Sequence, residues 1–154
     1  MVDSVKPSRR VLLWIAVFVA IASFAYVGII AGRNYSHAEA LDAHQARQFA
    51  TARSYCIVAA ELGSPDAAAL LGTMYLRGEG GPVDGKSALY WLEIAAGDGV
   101  VIAESILGIM FATGQGVAVN DDQAKFWLTR ASVHGDSTAR NMLMKFASPN
   151  SKPM

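Results

Sequence analysis

The feature that most constrains this chain is an internal repeat with a period of 36 residues. The segment 67–99, moved forward by 36, aligns with 103–135 without a gap, and 12 of the 33 positions are identical. The identical pairs are Ala67/Ala103, Leu71/Leu107, Gly72/Gly108, Met74/Met110, Gly78/Gly114, Gly80/Gly116, Val83/Val119, Ala88/Ala124, Trp91/Trp127, Leu92/Leu128, Ala95/Ala131 and Gly99/Gly135. A fixed period of this length predicts a solenoid, in which each repeat buries its apolar surface against its neighbours.

Each repeat contains two stretches whose apolar residues have the spacing of a buried helical face. The first stretches lie near 65–77 and 101–113, and the second near 84–97 and 120–134. The residues expected to cap these helices are Asp84 and Asn120 at the starts and Gly78, Gly80, Gly99, Gly114, Gly116 and Gly135 after the ends. We therefore predict antiparallel helix pairs joined by tight connections.

The period extends beyond the two full repeats in both directions. Tyr55 lies 36 residues before Trp91, and Leu143 lies 36 residues after Leu107. The array is therefore predicted to span 46–147 as a half repeat, two full repeats and a second half repeat.

The repeat resembles a known family. The pattern A-x-x-x-L-G-x-M/F-Y/F-x-x-G-x-G, followed by D/N-x-x-x-A-x-x-W-L-x-x-A and a glycine, is similar to the Sel1-like repeat, a relative of the tetratricopeptide repeat. The chain departs from this pattern at Gly81, where the second repeat has Val117, and at Met144, which stands where the equivalent residue is Gly108. The resemblance implies a scaffold that binds other proteins.

A second feature is a long apolar run before the array. Residues 11–31 include no charged side chain, and Ser23 is the most polar residue among these 21. A helix of this length spans a hydrocarbon core of roughly 30 Å. The predicted fold class is therefore all-α, with an N-terminal transmembrane helix followed by a short α-solenoid of antiparallel helix pairs.

Flanking charges predict how the chain crosses the membrane. Lys6, Arg9 and Arg10 precede the apolar run and Arg33 follows it, so the positive-inside rule keeps the N-terminus in the cytoplasm. The predicted segments are a cytoplasmic tail (1–10), a transmembrane helix (11–32), a linker or helix extension (33–45), the periplasmic array (46–147) and a disordered tail (148–154). The alternative is a signal peptide cleaved at Ala38-Glu39-Ala40, which would give a secreted protein. Gly28 and Gly32 are candidates for packing against another membrane helix, for which lipid is the alternative neighbour.

Composition and motifs exclude several function classes. Residues 32–154 carry ten Lys and Arg against twelve Asp and Glu, and phosphate binding needs a clustered basic excess, so nucleic acid is not expected as a partner. The glycine loops lack the strand and the Lys-Ser/Thr of a phosphate loop. His37 and His44 are seven residues apart but have no third ligand at matching spacing, so no metal or cofactor is expected. The single cysteine, Cys56, is predicted to be a small buried hydrophobe, with a reactive thiol as the alternative. We expect no enzyme activity.

A candidate partner-binding surface follows from the resemblance. In tetratricopeptide-like arrays the first helix of each pair lines the concave surface, and the positions between the buried ones differ from repeat to repeat. These positions are Ala69, Thr73, Arg77, Ser105, Ile109, Thr113, Asn141 and Lys145. Core positions recur because packing recurs, whereas a partner selects the residues that differ.

Two functions are consistent with these features. The first is a membrane-anchored adaptor that binds a protein partner on the periplasmic side of a bacterial inner membrane. The alternative is an immunity or inhibitor protein that neutralises a toxin or a membrane-active enzyme such as a phospholipase. Two full repeats are near the minimum for a stable solenoid, so the protein could also form a homodimer.

Overall fold

The structure is a computed structural model that describes residues 9–147, and every regular element in that range is an α-helix. The helices are α1 (Arg9–Gln45), α2 (Phe49–Glu61), α3 (Pro65–Arg77), α4 (Gly85–Gly97), α5 (Val101–Thr113), α6 (Asp121–Val133) and α7 (Ser137–Ala147). The predicted disordered tail and the first eight residues of the predicted cytoplasmic tail lie outside the described residues. The predicted all-α array of helix pairs is confirmed.

The second helix of each full repeat starts at a polar N-cap. The Asp84 carboxylate accepts hydrogen bonds from the backbone N–H groups of Lys86 (3.0 Å) and Ser87 (3.1 Å), and the Ser87 hydroxyl donates a third (2.7 Å). These hydrogen bonds, the Ser87 hydroxyl foremost, hold the pKa of Asp84 below its usual value. Asn120 caps α6 in the same way, because its side-chain oxygen accepts from the N–H of Gln123 at 3.1 Å.

The first helix of each full repeat ends at a glycine in the left-handed conformation. Gly78 has a φ of 71° and Gly114 a φ of 77°, and their backbone N–H groups donate to the carbonyls of Met74 and Met110. A residue with a Cβ atom rarely adopts this conformation. Each repeat therefore ends its first helix at the same position, which keeps the period exact.

A glycine lets the two helices of each pair come close together. A Cβ atom at Gly72 would lie 2.6 Å from Cγ of Leu92, and a Cβ atom at Gly108 would lie 2.6 Å from Cγ of Leu128. Both leucines are fully buried. The Gly-Leu contact thus explains why these two residue types recur at 36-residue spacing.

Helix α1 has two parts with different surroundings. Residues 17–29 are exposed along their whole length, whereas Ser36, Ala40 and Ala43 are buried against the array. Ala40 lies five residues before the end of α1, as Gly72 lies five residues before the end of α3. The last turns of α1 therefore act as the first helix of an additional pair with α2, and the segment 33–45 is helical throughout.

The connections between the helices alternate between two edges of the array. One edge, here called the turn edge, consists of the three-residue turns 62–64, 98–100 and 134–136. The other, here called the loop edge, consists of the connections 46–48, 78–84 and 114–120. Helices α2 to α6 each have 13 residues, so the two edges are separated by roughly 20 Å.

Backbone segments touch directly along the loop edge. A Cβ atom at Gly85 would collide with the backbone of Gly116, and one at Gly80 would collide with the carbonyl of Phe49. A Cβ atom at Gly81 would meet only the guanidinium of Arg53, the end of a flexible side chain that has room to move aside. The connections of successive helix pairs therefore contact each other through backbone atoms, without side chains between them.

The variant Gly85→Ala is expected to lower the free energy of unfolding by about 1–3 kcal/mol, because the backbone of Gly116 cannot move aside by a rotamer change. Gly97→Ala is the matched control. Gly97 ends the same helix, has no atom within 4 Å of its Cβ position, and gains helix propensity as alanine. Urea unfolding followed by circular dichroism measures both. A Gly85→Ala variant as stable as Gly97→Ala would contradict the contact between Gly85 and Gly116.

Candidate functional site

The structure divides the eight predicted partner-binding residues into two groups. Ala69 and Ser105 are buried, with 5% and 4% of their surface exposed, because α3 and α5 each have helices packed on both sides. The other six reach the surface: Thr73 and Ile109 are half-buried, and Arg77, Thr113, Asn141 and Lys145 are exposed. The surface available to a partner is therefore narrower than the predicted one.

The two threonines of this group present methyl groups rather than hydroxyls. The Thr73 hydroxyl donates to the carbonyl of Ala69 at 2.9 Å, and the Thr113 hydroxyl donates to the carbonyl of Ile109 at 2.8 Å. Because each hydroxyl is bonded to its own helix, the outward side of the residue is apolar. These positions are thus less polar than the sequence suggests.

An apolar row on the first helices completes this surface. Leu70, Ile106 and Met142 succeed one another at 36-residue steps and are each half-buried, and Ile102 is 61% exposed. We define the first-helix face as the following residues: Leu70, Thr73, Ile106, Ile109, Thr113 and Met142. The signal that could have identified it is the α5 sequence, in which isoleucine occupies positions 102, 106 and 109 on one side of the helix.

The second helices expose a different set of residues. Tyr90 and Phe126 are exposed and 36 residues apart, and each ring contacts the next residue, Trp91 or Trp127, edge to face with centroids 5.0 Å apart. The two tryptophans are half-buried, and Ala88 and Ala124 are fully buried between the helices. This outer surface offers a control region for any test of the first-helix face.

A charged cluster that the sequence analysis did not find lies where α4, α5 and α6 meet. Glu104 is fully buried in the first turn of α5. Its two oxygens lie 2.8 Å from Nδ1 of His134 and 2.9 Å from Nη2 of Arg130. The same Nη2 donates to the carbonyl of Ala96 in the last turn of α4, at 3.0 Å. The cluster therefore joins the first full repeat to the second.

Helix α1 is joined to the array by a histidine. Nε2 of His44 lies 2.8 Å from the Glu79 carboxylate, and its ring meets Phe49 edge to face. His44 is thus bonded within the fold. In residues 9–147, no three His, Cys, Asp or Glu side chains come together as metal ligands.

The single cysteine is part of the core. Cys56 is fully buried, its sulfur lies 3.9 Å from that of Met74, and burial raises the pKa of its thiol to about 12. Since the thiolate is the reactive form, this thiol is protonated at neutral pH. The predicted role as a small buried hydrophobe is confirmed.

The described part of α1 contains one stretch long and apolar enough to cross a membrane, within Val17–Gln45. A signal sequence would have the same properties near an N-terminus. Of the two glycines predicted to pack against a membrane helix, Gly32 faces Leu62 in the turn 62–64, whereas Gly28 has no atom within 4 Å of its Cβ position. Gly28 alone remains open to a second helix.

The fold defines the class of protein: an α-solenoid of antiparallel helix pairs that leaves one surface of its first helices accessible. Residues 65–100 and 101–136 each match the Sel1 repeat family model, so the chain contains two Sel1 repeats. Sel1-repeat proteins are in general non-catalytic scaffolds for protein–protein interaction. None of the curated proteins matches the chain.

Three solved structures are similar to this array. A Sel1 repeat protein from Oxalobacter formigenes is 35% identical over 63% of this chain and 28% of its own, with a TM-score of 0.60. A protective antigen of uropathogenic Escherichia coli with an SLR fold is 28% identical over 73% of this chain and 26% of its own (TM-score 0.66). Cysteine rich protein B of Helicobacter pylori is 27% identical over 59% of this chain and 68% of its own (TM-score 0.55). The chain thus spans about a quarter of the length of the first two.

Proposed function

We propose that this protein is a membrane-anchored scaffold that binds another protein through its first-helix face on the periplasmic side of the inner membrane. The observation that carries the proposal is the apolar row on α3, α5 and α7. Ile106 and Ile109 of α5, the middle helix of the three, are half-buried, so each side chain still reaches the surface. Aliphatic side chains in an extended row provide the buried core that a protein interface requires.

The arrangement of α1 supports an anchor in preference to a cleaved signal peptide. The helix is continuous from Arg9 to Gln45, and the cleavage motif Ala38-Glu39-Ala40 lies inside it. Ala40 is fully buried against the array. Cleavage after Ala40 would remove the buried residues Ser36 and Ala40 from the helix that pairs with α2, so the folded array favours retention of the apolar segment.

The anchor itself predicts a measurable effect. Replacing both Ile21 and Phe24 by arginine places two charges at the centre of the apolar run, where each costs about 2.5–3.5 kcal/mol of insertion free energy. We expect the variant to leave the membrane fraction, while exposed Tyr35, changed to arginine, leaves attachment unaltered. Alkaline extraction of membranes measures attachment, and the intact mass of the extracted protein reports cleavage. A double-arginine variant that stays in the membrane would contradict the anchor.

Crosslinking in cells tests the binding function. The full-length protein is crosslinked, captured and analysed by mass spectrometry, with the double-arginine variant as the reference for unanchored protein. A periplasmic or membrane protein enriched only with the anchored chain would support the adaptor function. Enrichment of a toxin or a lipase-like enzyme would instead assign the inhibitor role, and crosslinks confined to a second copy of the chain would assign a homodimer. Failure to enrich any protein would contradict the proposal.

A further inference from the structure

The geometry of α1 also determines which edge of the array is nearest to the membrane. The apolar run ends at Ala31, and the next residues already contact the array. Nη1 of Arg33 lies 3.5 Å from the carbonyl of Gly63, and a Cβ atom at Gly32 would lie 3.6 Å from Cδ1 of Leu62. The first turn of the turn edge is therefore level with the end of the apolar run, without an intervening spacer.

Polar contacts hold the turns 98–100 and 134–136 at the same edge as the turn 62–64. Arg130, near the end of α6, donates to the carbonyl of Ala96 near the end of α4, and His134 contacts Glu104 in the first turn of α5. Successive ends of the second helices thus lie side by side with the starts of the first helices. The loop edge is held separately by the contact between Gly85 and Gly116.

Two large apolar side chains are exposed at the turn edge of the third pair, α5 and α6. Ile102 lies in the first turn of α5 and is 61% exposed, and Val133 ends α6 and is 78% exposed. This edge carries charges of both signs: the carboxylates of Glu61, Asp66, Asp98 and Asp136, and the guanidinium groups of Arg33 and Arg130. Exposed apolar side chains at this edge suit contact with the headgroup layer, and the mixed charges give no strong preference between neutral and anionic lipid.

We infer that the turn edge lies against the surface of the bilayer that holds the anchor, and that the loop edge is directed away from it. This inference rests on the proposed membrane anchoring, because the uninterrupted α1 transmits the position of the apolar run to the array. The loop edge then stands roughly 20 Å further from the lipid surface than the turn edge. A partner that contacts the turn edge is consequently a membrane protein, whereas the loop edge is open to a soluble partner.

Fluorescence quenching tests the orientation in the full-length protein. Asp98→Cys on the turn edge and Gln115→Cys on the loop edge are both exposed positions in successive connections. Each is labelled with bimane maleimide, and native Cys56 stays in place because its buried thiol is unreactive. The protein is then reconstituted into phosphatidylcholine vesicles that contain a lipid with a nitroxide on its headgroup. We expect the label at 98 to be quenched at least about twice as strongly as that at 115, since the edges differ by roughly 20 Å in height.

A control separates this inference from the anchoring on which it rests. Flotation of the labelled protein with the vesicles reports insertion independently of quenching, so a protein that fails to float contradicts the anchor. Floating protein with equal quenching at the two positions, or with stronger quenching at 115, overturns the orientation. A variant with a flexible Gly-Ser insertion between Gly32 and Arg33 should float but lose the difference between the labels. If the difference persists in that variant, helix continuity is not its cause.

Discussion

Replacing Arg130 by methionine is expected to lower the free energy of unfolding by about 3 kcal/mol. The change removes the guanidinium that lies 2.9 Å from the fully buried Glu104 carboxylate and leaves that oxygen without a cationic partner. Removing one partner of a buried ion pair costs about 3–5 kcal/mol, and the lower end applies because Arg130 is partly exposed. The hydrogen bond to the Ala96 carbonyl is lost as well. Urea unfolding measures the effect.

The control is the double variant Glu104→Leu/Arg130→Met. It replaces both charges by apolar side chains of similar size, so no buried charge remains unpaired, and its stability is expected to return to within about 1 kcal/mol of the original. His134 retains contact with water, since 42% of its side chain is exposed. If the double variant is as unstable as Arg130→Met alone, the loss comes from packing and not from the unpaired carboxylate.

The substitution Leu128→Ala is expected to cost about 2–5 kcal/mol. Leu128 is fully buried and occupies the space that Gly108 leaves open, and the facing helix cannot collapse into the cavity without losing its other contacts. Leu92→Ala should cost a similar amount, because Leu92 faces Gly72 in the same way in the preceding repeat. The exposed neighbour Val133 provides the control, since Val133→Ala removes little buried surface. A neutral Leu128→Ala variant would contradict the repeated Gly-Leu contact.

The core of the fold could be predicted from sequence because the interactions that build it recur. The Gly-Leu contact, the left-handed Gly78 and Gly114 and the caps at Asp84 and Asn120 each occupy the same position in both full repeats. A side chain whose role depends on close packing tolerates few replacements. The glycines and leucines were therefore predictable from identity at the 36-residue period, and the caps from the similar side chains of Asp84 and Asn120.

The structural features that could not be predicted from the sequence do not recur from one repeat to the next. The connection between α1 and α2 has three residues where that between α3 and α4 has seven. Because of this difference, Ala40 lies 32 residues before its counterpart Gly72 instead of 36. The 36-residue period therefore does not align the two residues. Glu104 has no counterpart either, because Ala68 stands 36 residues earlier. Ion pairs made by unrepeated residues leave no periodic signal, so the charged cluster became visible only in three dimensions.

The candidate surface could be predicted only in part, because the burial of its residues depends on neighbouring helices. Spacing along α3 and α5 identified the side of each helix that contains Thr73 and Ile109, but periodicity does not show how far neighbouring helices cover that side. The helices that flank α3 and α5 bury Ala69 and Ser105 and leave Leu70 and Ile106 half-exposed. The partner-binding role of this surface remains a prediction.

The central claim, that the first-helix face binds a protein, is tested most directly by the affinity of the captured partner for purified full-length variants. Ile109→Glu places a charge in the middle of the face, and Phe126→Glu places the same charge on the exposed outer surface of α6. Burying an unpaired carboxylate in an interface should weaken binding at least about tenfold, which corresponds to about 1.4 kcal/mol. We expect this loss for Ile109→Glu and unchanged affinity for Phe126→Glu. Unchanged affinity for Ile109→Glu together with a loss for Phe126→Glu would contradict the claim and move the binding site to the outer surface.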